Sequence, residues 1–333
     1  MAMKIRDFFK LALHTQLLPA MESGQEELLV GGQAVVEGVM MRAPHSYSVA
    51  VRQPRGGISV HSETVERPSE RYPLLRFPIL RGLGTLAQAM WLGVRALRYS
   101  ALAMLEIEEK PEPGKAKAAD TAANWVLTAN LIFSVGFFIL FYKFLPLFLA
   151  TLIGKHFPLF RNHFRFNFTD GVIRLALFIL FLVTVSCWKE IRRVYEYHGA
   201  EHKTVFNFES GKALSVENAR GFSRLHPRCG TSFLLVVMLV SMALFLLIPF
   251  TGFWLRLLSR VVLLPLVAGL SYEIIRFSAR RGGFLWAQLI KPGLWLQRIT
   301  TAAPSDDQLE VAVRALEEAM ALERAQGGEL VVA

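Results

Sequence analysis

The spacing of apolar positions divides this chain into stretches of different kinds. Residues 28–66 carry short Val-rich runs, LLVGGQAVVEGVMMRAP, YSVAVRQ and GGISVHSETV, broken by Gly and Pro. Short β-branched runs between turn formers predict strands, here a small β-meander. From Pro68 to Leu105 the pattern turns helical, but Arg81, Arg95 and Arg98 interrupt it. That predicts a helix, or a helical hairpin, lying in a membrane interface. Residues 106–122 are charged, contain proline and read as a linker. Four long apolar stretches follow, 125–153, 171–188, 232–255 and 261–275. A bilayer core takes about 20 helical residues to cross, so the last is short for a span, and it contains Glu273. Lys143 interrupts the first and Arg174 lies near one end of the second.

Beyond the last apolar stretch, FLWAQLIKPGLWLQRITT carries Trp286 and Trp295, which suit the headgroup zone. Ser305 and Gln308 then stand in capping-box spacing ahead of a helix whose Leu309, Val313, Leu316 and Met320 form one apolar stripe. Such a helix packs on its own protein or on a partner. The expected fold is therefore a predominantly α-helical polytopic membrane protein of about four transmembrane helices. It carries a small N-terminal β-meander and a C-terminal amphipathic helix. Its expected divisions are a basic amphipathic segment (1–27), a β-rich cytoplasmic subdomain (28–66), interfacial helices with the charged linker (67–122) and a membrane domain (123–277) with a polar cytoplasmic loop at 189–231. A cytoplasmic interfacial segment and helix (278–333) completes them.

Composition agrees with membrane residence. The chain has 333 residues, 53% of them hydrophobic, with a formal net charge of +10. In a membrane protein such a surplus of cations is explained by lipid headgroups and the positive-inside rule. No zinc-finger spacing or RNA-binding signature is present, which argues against a nucleic-acid partner. The segments outside the expected spans that carry most Lys and Arg are 1–124, 189–231 and 276–333, which predicts an inner-membrane protein with N- and C-termini in the cytoplasm. The N-terminal 21 residues lack the continuous apolar core and small-residue cleavage site of a signal peptide. Two cysteines, Cys187 in an apolar stretch and Cys229 in a polar one, make no disulfide framework.

The candidate chemistry lies in the loop 189–231. It contains His198-Gly-Ala-Glu201-His202, and residues four apart on a helix share a face. H-x-x-E-H is the inverted zincin order, two imidazole ligands with a carboxylate base between them. The same loop ends in His226-Pro-Arg-Cys229. Two metal readings stand open. In one, His198 and His202 bind Zn²⁺ or another divalent transition metal, Glu201 is the general base, and a third ligand such as Glu273 comes from elsewhere. In the other, His198, His202, His226 and Cys229 close a structural tetrahedron. Against both, Gly199 could end the helix between the two histidines, and His198 could simply cap the cytoplasmic extension of the second span. Cys229 as a nucleophile would need a further group to orient His226.

Arg220, Arg224 and Arg228 recur every four residues, a basic stripe if helical, suited to headgroup phosphates or to an anionic substrate. Glu37, between Val36 and Gly38, could lend a carboxylate to the loop site or be a solvated strand residue. Three functions follow: a membrane-embedded metal-dependent hydrolase acting on a membrane protein or an anionic lipid-like molecule, a scaffold or assembly factor with a structural metal site, and a small transporter using Lys143, Arg174 and Glu273. The lipid bilayer is the one partner common to all. A homo-oligomer or a protein partner could dock through the C-terminal helix.

The blocks GGQAVVEGVMMRAP, YHGAEHKTVFNFESG, LSVENARGFSRLHPRCGTSFLLVVMLVS, LLPLVAGLSYEIIR and PGLWLQRITT closely resemble the YqhQ-like bacterial membrane proteins, the domain-of-unknown-function family 1385. The resemblance runs from about Leu28 to the C-terminal helix. It implies a membrane protein described as a predicted metal-dependent enzyme, without an established substrate. Its blocks include Glu37, His198, Glu201, His202, His226, Cys229 and Glu273.

Overall fold

The computed structural model describes the backbone of residues 30–104, 129, 132–281 and 284–326, and their side chains apart from residues 278–290. The amphipathic segment 1–27 and the linker 106–122 fall outside the described residues. Strands β1 (Gly31–Val35), β2 (Gly38–Arg42), β3 (Ser46–Arg52) and β4 (Ile58–Thr64) form an antiparallel meander in that spatial order. The helices are α1 (Leu80–Met104), α2 (Ile132–His156), α3 (His163–Ser186), α4 (Lys189–Glu209), α5 (Val216–Arg220), α6 (Gly230–Leu247), α7 (Phe253–Val262), α8 (Leu264–Arg281), α9 (Phe284–Thr300) and α10 (Asp306–Ala325).

Side chains alternate across a strand, and both faces of this sheet are covered. Val39, Met41 and Ala50 join Tyr197 and Ala200 of α4 and Leu309, Ala312 and Leu316 of α10 in one core. Met40, Tyr47, Val49 and Val51 join Leu92 and Ala96 of α1 in another. Burial on both sides is why these strands read as continuous apolar runs. The stripe of α10 is thus filled by the protein's own sheet and α4. Helix α1 gives its buried face to the sheet and leaves Met90, Trp91, Val94 and Leu97 exposed.

Helices α2, α3 and α6 are long and apolar enough to cross a membrane, and α7 with α8 makes a fourth candidate, bent by 48° at its break. The chain is a multi-pass membrane protein. Several boundaries differ from the sequence expectation, each for a local reason. Helix α3 starts at His163, eight residues early, because Asn162 caps it by accepting the Phe164 N–H at 2.9 Å. Helix α6 stops at Leu247, because Pro249 follows and Gly252 turns the chain with φ +85°. Lys143 sits in a π-turn, Leu140–Phe144, just before Pro146, whose missing N–H disrupts the regular ladder.

Glu273 has a structural task. Its carboxylate accepts from the Ile79 N–H at 3.2 Å and Arg81 Nε at 2.6 Å, holding the start of α1 against α8. Gly82 and Gly269 permit that crossing. A Cβ on Gly82 would lie 2.7 Å from Tyr272 Cβ, and one on Gly269 would collide with Ile79.

Leu316 is fully buried between α10 and the sheet, whereas neighbouring Glu317 is exposed. Leu316→Ala is expected to cost about 2–5 kcal/mol, and Glu317→Ala less than about 0.5 kcal/mol. Thermal unfolding of the two purified variants checks this, and equal midpoints would show that the α10–sheet core is not formed.

Candidate metal centre

Helix α4 runs unbroken from Lys189 to Glu209, straight through Gly199. A helix interior is a costly place for glycine, and the reason for it here is a close crossing. The segment after α9 passes over α4 at this point: the Ala302 N–H donates to the Tyr195 carbonyl at 2.8 Å, and a Cβ on Gly199 would collide with the Ala302 carbonyl oxygen. Because the helix continues, His198 and His202 stack on one face with ring centroids 4.4 Å apart.

Each imidazole is oriented by a backbone carbonyl. His198 Nδ1 lies 2.8 Å from the Thr300 oxygen, and His202 Nδ1 lies 2.6 Å from the Arg224 oxygen. A carbonyl only accepts, so each ring carries a proton on Nδ1, and Nε2 is the nitrogen left to face the cluster. Lys203 fixes the loop that presents Arg224, its Nζ donating to the Arg220 and Phe222 carbonyls at 2.8 and 2.7 Å. His202 is 2% exposed, and its Nε2 has no hydrogen-bond partner among the described residues. Burial lowers its pKa, more strongly than the nearby Cys229 thiol raises it, and keeps the ring neutral.

Cys229 supplies the third donor from the cap of α6. Its Sγ lies 3.2 Å from His198 Nε2, accepts from the Thr231 N–H at 3.4 Å and is 3.1 Å from Thr231 Oγ1. Donor atoms of His198, His202 and Cys229 all lie within 4.8 Å of one another. Zn–N bonds of about 2.0 Å and Zn–S bonds of about 2.3 Å put tetrahedral donors roughly 3.5 Å apart, so a small inward movement would close this set on an ion. The residues present fit a transition metal: two imidazoles pre-set by carbonyls, as metal-bound histidines usually are, one sulfur, and at His202 a buried nitrogen with no hydrogen-bond partner among the described residues.

The other residues singled out from the sequence sit elsewhere. Glu201, one turn from His198, turns its carboxylate to β1, where it accepts the Gly32 N–H. A Cβ on Gly32 would lie 2.9 Å from Glu201 Cγ, so the glycine admits the acid. Burial pushes the Glu201 carboxyl above the usual range, with His198 and His226 pulling the other way. His226 is buried but turned from the cluster: its Nδ1 accepts the Arg228 N–H at 3.3 Å and its Nε2 faces Glu209 at 3.4–3.5 Å. Burial pushes its pKa down to about 4. Its backbone is clamped by Gln297, which accepts the His226 N–H and donates to the His226 carbonyl, both at 2.7 Å. Glu273 is not brought to the cluster, being held by Ile79 and Arg81.

Nor do the arginines form a stripe. Arg220 ends the short α5, and Arg224 and Arg228 lie in the non-helical stretch after it. Arg220 pairs with Asp306, Arg224 donates to the Thr301 carbonyl at 2.9 Å, and Arg228 pairs with Glu209. Glu37, in the β1–β2 turn with φ 52°, pairs with Arg193 and accepts from Tyr197 Oη at 3.2 Å. Sequence reasoning missed the Thr300 and Arg224 carbonyls and Gln297, which carry no residue-type signal. Gly32 stands in the sequence only as the second of two adjacent glycines, Gly31 and Gly32.

Fold and site together define a multi-pass membrane protein with a candidate transition-metal centre where a helix packed on the sheet meets the foot of a candidate span. The family model described as "Protein of unknown function (DUF1385)" matches residues 77–322, and the chain belongs to that family. It is also 35% identical over 307 residues to the uncharacterized protein YqhQ of Bacillus subtilis (strain 168), an overlap covering 88% of this chain and 92% of the relative. No solved structure matches the chain.

Gly199→Ala is expected to lift the Ala302 segment off α4 and so release the His198–Thr300 contact. Protease cleavage near residues 301–304 should rise in this variant, while Gly221→Ala, whose Cβ would meet only Asn218 O at 3.6 Å, should leave it unchanged.

Proposed function

We propose that this protein is a membrane-bound metal-dependent hydrolase whose ion is held by His198, His202 and Cys229 at the cytoplasmic membrane face. The observation that carries the reading is the pair of Nε2 atoms, set by two backbone carbonyls and gathered with one sulfur, of which His202 Nε2 is buried with no hydrogen-bond partner among the described residues. When bound, Zn²⁺ or a similar ion supplies Lewis acidity and makes water acidic near neutral pH. Three protein ligands leave one coordination place open, the pattern of catalytic rather than purely structural zinc sites.

The chain's own residues divide the remaining work. His198 is half-buried, leaving the cluster reachable, whereas His202 is sealed and holds its ring rigidly. Glu201 is the acid electrostatically coupled to His198. Its raised pKa suits a group that takes up a proton and returns it. The Gly32 N–H holds the carboxylate against β1, so release of that contact accompanies its service as a base. His226 acts behind the site, its ring wedged against Phe206 at 4.5 Å between centroids. The bilayer beside the cluster favours a membrane-protein segment or an anionic lipid-like molecule as substrate.

A second reading is favoured by the position of Cys229. It caps α6, whereas both histidines belong to a helix packed on the sheet. An ion there would staple the two layers together without catalysis, as in a scaffold.

Elemental analysis of the purified protein and its variants tests both. His198→Ala, His202→Ala and Cys229→Ala should each lower metal content at least tenfold. His226→Ala should keep it, because its nitrogens serve Arg228 and Glu209. Glu201→Gln should retain the metal but fail to restore function in cells lacking the protein. Metal-free wild-type protein would sink both readings, and a fully functional Glu201→Gln variant would leave only the staple.

A further inference from the structure

The opposite end of the spans carries a second polar centre, unrelated to the histidines. Asn167, Asp170 and Arg174 of α3, Arg260 of α7 and Lys143 of α2 are each at most 4% exposed. Asp170 Oδ2 accepts from Arg174 Nη2 and from Arg260 Nη2 at 3.0 Å, and Asn167 Oδ1 accepts from Arg260 Nη2 at 3.1 Å. Arg174 Nη1 donates to Ser241 Oγ at 3.2 Å. The two guanidiniums and the Lys143 amine also converge on one ring, Phe245, at 5.3, 5.3 and 5.9 Å.

The charges do not balance. Two guanidiniums and the Lys143 amine face a single carboxylate, and Arg174 Nε and Asp170 Oδ1 are buried without hydrogen-bond partners among the described residues. An unmatched charge at membrane depth is costly unless something pairs with it. The structure offers a way in. Asn167, Phe245, Ser259 and Arg260 line a small cavity that also touches Arg256. Arg256 in turn lines an open depression of about 260 Å³ with Lys155, Arg161, Thr151, Gly154 and Phe166. No acidic residue lines this depression, and Arg256 stacks over the Phe166 ring at 3.8 Å. It opens where α2 ends and α7 begins, at the end of the spans away from the sheet.

We infer that this depression binds the phosphate of an anionic phospholipid headgroup, held by Lys155, Arg161 and Arg256 and attracted by the positive excess behind them. Arg161 gives its Nε and Nη2 to the Gly154 and Lys155 carbonyls and Arg256 its Nε to the Phe250 carbonyl, which leaves their remaining Nη donors for the oxygens of a phosphate group, and basic pockets between spans are suited to anionic headgroups. Inorganic phosphate shares that chemistry, so the source has to be separated by experiment. The site lies on the far side of the membrane domain from the metal centre and stands whether or not a metal binds there.

The full chain is reconstituted in nanodiscs of phosphatidylcholine with and without phosphatidylglycerol. After extraction, retained lipid is counted by native mass spectrometry. Wild type should retain phosphatidylglycerol over phosphatidylcholine. Lys155→Gln/Arg161→Gln, which alters exposed side chains, should lower retention by about tenfold. Arg314→Gln on α10, a cation far from the depression, should not. Equal retention by the double variant and wild type, or no preference between the lipids, overturns the proposal. Displacement of the lipid by millimolar inorganic phosphate would overturn the lipid source.

Discussion

The crossing of the Thr301–Pro304 segment over Gly199 is the contact on which the site depends. It settles three things at once. It demands glycine in mid-helix, it ties the end of α9 to α4 through the Ala302–Tyr195 hydrogen bond, and it sets the Thr300 carbonyl opposite His198. Without that carbonyl the His198 ring would have no fixed tautomer, and its other nitrogen no fixed direction. The Arg224 carbonyl does the same for His202 from another segment, itself tied down by Lys203. The reactive face of the cluster is thus built by backbone groups that arrive from distant parts of the chain.

Much of the architecture was legible in the sequence because its causes are local. Apolar runs bounded by glycine and proline gave the meander, and apolar length gave the spans. The capping box at Ser305 is real, with the Ser305 N–H donating to Gln308 Oε1 at 2.9 Å. The helical spacing in HGAEH was also legible, once α4 was seen to continue through Gly199. What could not be read was pairing across long distance. Glu273 looked like a ligand because an acid in an apolar run needs a partner, but nothing local named Arg81 as that partner. His226 and Cys229, three apart, looked equivalent; only the fold turns one ring toward Glu209 and leaves the sulfur at the cluster. The arginines at spacing four resembled a helical stripe, but α5 ends at Arg220 and disperses them.

Charge is handled differently at the two ends of the spans. At the end near the sheet, the buried side-chain atoms without a hydrogen-bond partner among the described residues are His202 Nε2 and the Thr204 and Thr300 hydroxyls, of which only the imidazole nitrogen is a metal donor. At the other end, cations outnumber acids and sit under an open basic depression. Burying like charges together opposes folding unless the environment supplies the counter-charge. The apolar faces of α2, α3 and α6 between the two ends, with Phe133, Val172, Leu180 and Leu239 exposed among the described residues, suit a lipid environment.

The double coverage of the sheet also has a consequence for biogenesis. Strands β1 to β4 emerge early from the ribosome, yet one of their faces is closed by α10, which is made only after every span. Until then Val39, Met41 and Ala50 present an open apolar surface, and such surfaces invite association in incomplete chains. The nascent sheet must wait, beside the membrane or shielded by a chaperone, while the spans insert. Synthesis of α9 and α10 then delivers the Thr300 carbonyl and the missing core together, so the sheet layer is completed only after the candidate spans have been made.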